Sequence, residues 1–231
     1  MGKRQDSRER IERRVIELGR RHLVTEGAAG LSLRAIARDL GMVSSAVYRY
    51  VGSRDELLTL LVVDAYTDLA DAVDRARAAA APGWRDQLTA AATAARRWAV
   101  EQPACWALLY GSPVPGYHAP RERTVGPGTR VVAALFEVVA AGVAAGAITT
   151  AELAVPQALS TDFDALRDEF AIAADDSVVV KGTLVWAALI GAISLEVFGQ
   201  YGPDTFTDAA PVFDLQLALL IGMLERHDPE N

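Results

Sequence analysis

The stretch from Leu31 to Leu57, LSLRAIARDLGMVSSAVYRYVGSRDEL, constrains the fold more than any other part of the chain. Leu33, Ile36, Ala37 and Leu40 recur at helical spacing, which predicts a helix over about 32–40. Gly41 follows and is able to take the positive φ of a sharp turn. Ala37 is small where two crossing helices must approach closely. A second helix is predicted over about 44–51, with Val43, Val47 and Val51 as its buried stripe. A small residue, a turn glycine and an apolar anchor at this spacing fit a helix-turn-helix whose second helix enters a DNA groove.

The other face of that second helix carries Ser44, Ser45, Ala46, Tyr48 and Arg49. Small residues there let the backbone approach base edges, and serine hydroxyls donate or accept at them. Tyr48 and Tyr50 offer hydroxyls to the phosphate backbone. Ser53-x-x-Glu56 reads as a capping box opening the next helix. Arg54 sits in that first turn, where a cation opposes the helix dipole, so a phosphate partner is expected for it. With Ser32 and Arg34 at the start of the preceding helix, these residues complete the expected DNA-contacting set.

Residues 10–57 resemble the N-terminal DNA-binding domain of TetR-like transcriptional regulators. The resemblance rests on T-E-G at Thr25 to Gly27, L-S-L-R-A-I-A from Leu31, Y-R-Y-V at Tyr48 to Val51, and S-R-D-E-L at Ser53 to Leu57. Tyr50 stands where a histidine is common in the family, Val51 where a phenylalanine is, and Arg54 where a lysine is. More loosely, W-x-x-L-I-G-x-x-S-L-E at Trp186 to Glu196 and Y-G-S-P-V-P-G-Y at Tyr110 to Tyr117 resemble the subgroup with a Trp-His-Gly signature. Ile190 replaces its histidine, so no role of that histidine carries over. The resemblance implies a two-part, all-α chain of about nine to ten helices. Its expected division is a helix-turn-helix domain over 1–56 and an effector-binding and dimerisation domain over 57–231.

Charge supports the motif when it is divided along the chain. The whole sequence is at −7, yet residues 1–60 hold 12 Lys and Arg against 8 Asp and Glu, a net of +4. A basic front on an acidic body suits a polyanion-binding module joined to something else. Half of the residues are hydrophobic, which excludes a disordered chain. The single Cys105 has no partner for an intramolecular disulfide, in keeping with a reducing cytoplasm. No signal peptide is expected over 1–21, and the apolar run 183–198 reads as too short and too closely flanked by charge for a membrane span. Lys3, Arg4 and Arg8 make a candidate basic arm.

An enzyme is not expected. There is no glycine-rich phosphate loop, nucleophile elbow or His-Glu-x-x-His, and His22, His118 and His227 with one cysteine make no metal constellation. No cofactor is expected either. His22 falls on the apolar stripe of a first helix over 7–26 and reads as a packed histidine.

Beyond the front module, helices are predicted over 53–80, 84–102, 106–110, 129–145, 162–174, 178–198 and 212–224, with Gly111 to Gly128 as a loop rich in Pro and Gly. Glu137 reads as solvated. The last two predicted helices are apolar on two faces, which requires cover on two sides. A second subunit is the expected cover, through Ala187, Gly191, Ser194, Phe213, Leu217, Leu220 and Leu224. The regulator class implies a pocket for a small-molecule effector of unknown identity. Trp98, Trp106, Tyr110, Tyr117, Phe136, Phe170 and Trp186 are its candidate lining. The expected partners are double-stranded operator DNA, a second copy of the chain and that effector. The reading is a ligand-released repressor. An activator, a ligand-independent regulator, or a helical binding protein that no longer binds DNA remain open.

Overall fold

The computed structural model describes residues 3–149, 155–170 and 175–225. Among the described residues the chain is helical, apart from one antiparallel bridge between Ile148 and Glu225. The helices are α1 Lys3–Gly30, α2 Leu33–Asp39, α3 Ser44–Val47, α4 Arg54–Ala79, α5 Trp84–Glu101, α6 Pro103–Tyr110, α7 Arg121–Ala144, α8 Gln157–Phe170, α9 Asp176–Val197 and α10 Ala210–Leu224. The expected all-helical architecture is therefore the observed one.

The chain forms two compact units, and they do not follow the expected break at 56/57. The first takes Met1–Asp68 together with Gln102–Gly128, and the second takes Leu69–Glu101 with Thr129–Asn231. The physical reason lies in the first unit's core. Val15 and Leu18 of α1, Leu33 and Ile36 of α2, Val47, Val51, and Leu57, Leu58 and Leu61 of α4 are almost wholly buried together. Ala104 and Leu108 of α6, with Val114 and Tyr117 of the following loop, pack against that cluster. Thr59, the buried polar side chain of α4, donates to the Asp55 carbonyl at 2.9 Å and shares a hydrogen bond with the Tyr117 hydroxyl at 3.0 Å. Segment 102–128 thus belongs with the helix-turn-helix rather than with the C-terminal helices.

Several boundaries differ from the sequence expectation. α1 is broken at Gly27, with φ 66° and ψ 174°, next to the expected end at Glu26. The expected basic arm is already helical from Lys3, and Arg8 pairs with Glu12 at 2.8 Å. α3 is shorter than 44–51, because Tyr48 to Tyr50 form turns before Val51. α7 starts at Arg121 instead of 129. The Pro120 carbonyl accepts from the amides of Arg123 and Thr124, both at 3.1 Å. Pro127 then sits inside the helix at the cost of one backbone hydrogen bond. Of the helix expected over 162–174, residues 171–174 lie outside the described residues, as does His227.

In the second unit α9 packs against α5, α8 and α10. A Cβ added at Gly182 would lie 2.0 Å from Cδ1 of Phe136, so α7 and α9 meet there through a glycine. The Arg96 guanidinium of α5 binds Glu196 of α9 through two hydrogen bonds, at 2.7 and 2.5 Å, and lies 5.6 Å from the ring of Phe213 in α10. Glu137 is exposed, as expected, and pairs with Arg77 at 3.2 Å. α7 and α9 are long and apolar enough to cross a membrane by length and composition alone, a test that core helices also pass. One stripe of α9 (Val178, Val185, Leu189 and Ile193) is nonetheless buried inside the unit.

Candidate nucleic-acid interface

The first unit positions the outward face of α3 by burying its other side. Ile36, Ala37, Val47 and Val51 are at most 0% exposed, which anchors α2 and α3 to α1 and α4. Gly41 makes the turn between them with φ 68°, a conformation costly for any side chain with a Cβ. Ser32 caps α2, its hydroxyl accepting from the Ala35 amide at 3.5 Å. The His22 ring meets the Asp39 carboxylate at 2.7 Å, so His22 ties α1 to α2 instead of merely packing. That hydrogen bond holds the Asp39 carboxyl below its ordinary range.

On the outer side Arg34, Ser44, Ser45 and Arg49 are exposed, and Tyr48 is 46% exposed. Two expected members of the set lie elsewhere. Ala46 is 7% exposed and belongs to the core side. Tyr50 is half-buried against the hydrophobic cluster. Val43, expected in the buried stripe, is 70% exposed, because it is the extended N-cap residue and stands before the first helical turn. It is an exposed residue next to Ser44 that periodicity assigns to the interior.

Arg54, expected to need a phosphate partner, already has partners within the protein. Its Nη2 donates to the carbonyls of Ala28 at 2.8 Å and Ala29 at 3.0 Å. Those carbonyls lie at the C-terminal end of α1, where the dipole favours a cation. The capping box is present, with only its return bond one residue earlier than expected. The Glu56 amide donates to the Ser53 hydroxyl at 3.0 Å, while the Glu56 carboxylate accepts from the Gly52 amide at 2.6 Å.

Comparison with known proteins decides the family. Residues 88–220 match the family described as Tetracyclin repressor-like, C-terminal domain. The HTH-type transcriptional regulator Rv1816 of Mycobacterium tuberculosis is 62% identical over 228 residues, 98% of this chain and 97% of the relative. The chain belongs to the TetR family. It is a DNA-binding transcriptional regulator. A crystal structure of the regulatory protein SCO4313 superposes with a TM-score of 0.77 at 32% identity, covering 96% of this chain and 100% of the other. FadR from Bacillus subtilis, crystallised with stearoyl-CoA, shares the fold with a TM-score of 0.63 at 11% identity, covering 92% of this chain and 98% of the other.

The remaining expected sites of this TetR-family regulator are distributed as follows. Of the candidate pocket residues, Trp106, Tyr110 and Tyr117 belong to the first unit and Trp98, Phe136 and Trp186 to the second. Trp106 is 0% and Phe136 1% exposed, so both are core residues. Tyr110 lies against Trp106 with centroids 4.4 Å apart and the rings tilted by 46°, and it makes an edge-on contact with Tyr66 at 6.3 Å. Burial pushes the Tyr110 phenol far up and keeps it a neutral donor. Trp186, on α9, is 36% exposed. Phe170 closes α8, and its side chain lies outside the described residues.

The expected dimer seam also needs correction. Phe213, Leu217, Leu220 and Leu224 are buried within the second unit, turned toward α9 and α5. The opposite stripe of α10 is the free one, with Leu215, Leu219 and Met223 exposed at 67%, 71% and 64%. Ala187 and Gly191 of α9 are exposed, and Ser194 is half-buried.

Proposed function

We propose that this regulator is a homodimeric repressor that leaves double-stranded operator DNA when a small-molecule effector binds. One observation carries the reading: α2 and α3 bury their apolar stripe while Arg34, Ser44, Ser45, Tyr48 and Arg49 face solvent. On this reading Ser44 and Ser45 meet base edges, and Tyr48, Arg49 and Arg34 meet phosphates. Ser32, Ala46, Tyr50 and Arg54 hold α2, α3 and α4 in place behind them.

Two copies are needed because paired recognition helices read major grooves about 34–36 Å apart. The exposed stripe of Leu215, Leu219 and Met223 on α10, together with the exposed Ala187, Gly191 and Leu195 on α9, supports an isologous helical seam between copies. An effector acts by its differential affinity for the DNA-competent and incompetent separations. That FadR was crystallised with stearoyl-CoA supports a helical body able to take in a ligand. The Trp186 to Glu196 and Tyr110 to Tyr117 segments support membership of the Trp-His-Gly subgroup, with Ile190 in place of its histidine. The protein acts in the cytoplasm, without catalysis.

A gel shift across fragments upstream of its own gene tests this. The wild-type chain shifts one fragment with affinity that falls steeply with salt. Tyr48→Phe with Arg49→Ala weakens binding on every sequence alike. A wild-type protein that shifts no fragment overturns the reading.

A further inference from the structure

A cleft of about 610 Å³ lies in the first unit between α1 and the turn that leads into α3. Arg10, Arg13, Arg14 and Glu17 form one wall, at spacings that place them on one face of α1. Ile11, Leu40 and Met42 supply an apolar floor. Glu17 is held by Arg14 at 2.5 Å, and this pairing keeps its carboxyl below the ordinary range, so it remains charged. The Arg13 Nε donates to the Glu9 carbonyl at 3.4 Å, a bond that does not use its terminal nitrogens. Three cations against one carboxylate leave the cleft positive. Met42 is two residues before Ser44, so the cleft adjoins the outward face of α3.

We infer that this cleft is a second DNA contact, taking one sugar–phosphate strand beside the groove that α3 enters. The chemistry matches on both counts. Phosphates are met by guanidinium forks, and the apolar faces of deoxyribose lie against Leu40 and Met42. The inference rests on the DNA-binding reading and widens it: the footprint extends beyond the recognition helix to the first half of α1. Contacts of this kind position the protein on the duplex and carry no base information.

The test is the salt dependence of binding to a mixed-sequence duplex of about 12 base pairs, little more than one helical turn so that one head is covered, followed by fluorescence anisotropy. Arg10→Ala/Arg13→Ala is compared with wild type and with Arg75→Ala, an exposed cation of the second unit. Each lost phosphate contact lowers the slope of log affinity against log salt by about 0.9. The double variant therefore loses about 10-fold less affinity than wild type between 50 and 200 mM salt, while Arg75→Ala follows wild type. Thermal melting by circular dichroism confirms that the variants are folded. A double variant with the wild-type slope overturns the inference. A wild type that binds no duplex at any salt overturns the DNA-binding reading itself.

Discussion

Arg54 shows how one side chain changes meaning between chain and fold. From its place in the first turn of α4 it has an unfavourable dipole interaction, and a phosphate is the obvious compensation. The compensation present is the pair of carbonyls of Ala28 and Ala29, 26 and 25 residues earlier. Arg54→Ala is therefore expected to destabilise the first unit by about 1–2 kcal/mol, as loss of charge-assisted hydrogen bonds does. A thermal melt reads this, and the salt slope of DNA binding stays at the wild-type value because no phosphate contact is lost. Gly182 is the corresponding position in the second unit. Gly182→Ala sets a methyl against Phe136 and should cost about 1–3 kcal/mol in urea unfolding.

Helices in this protein are placed by their partners more than by their own periodicity. α10 has two apolar stripes of nearly equal strength, and the packing against α9 and α5 selects Phe213, Leu217, Leu220 and Leu224 for the interior. α8 is fixed to α9 by charge: Arg167 donates to Asp176 at 2.8 Å and to Asp164 at 2.6 Å. The bond from Arg167, then one from Ser160, holds the Asp176 carboxyl below the usual carboxylate range. A depressed carboxyl stabilises the fold above its unfolded pKa of about 3.9, and this contribution is lost as pH falls through the lower folded value. Asp176→Asn should thus lower the urea midpoint at pH 7 and pH 5 by similar amounts. The difference from wild type should shrink below about pH 4.

At the level of the whole molecule, the exposed stripe of α10 is the test of assembly. Leu219→Glu places a charge on a side chain that is 71% exposed in the single chain, so the subunit fold is kept. Light scattering after size exclusion should then report a monomer, and operator affinity should fall by roughly 100-fold or more as the paired half-sites are lost. Leu217→Glu, on the buried stripe, should instead unfold the second unit. A Leu219→Glu protein that remains dimeric would exclude this face as the seam.

Local signals were enough for part of this. Periodic apolar residues, the turn glycine and the Ser53–Glu56 cap determined that helices form over 32–57 and which side of α2 is buried, because those forces act within a few residues. They also determined that Ser44, Ser45 and Tyr48 occupy one patch. Tertiary structure alone decided that Val43 is exposed at a non-helical cap, that Arg54 spends its charge on α1, and that 102–128 joins the first unit. It also decided which of the two stripes of α10 is left open. Each of these depends on a partner far away in sequence, and a chain read in one dimension carries no distance to such a partner.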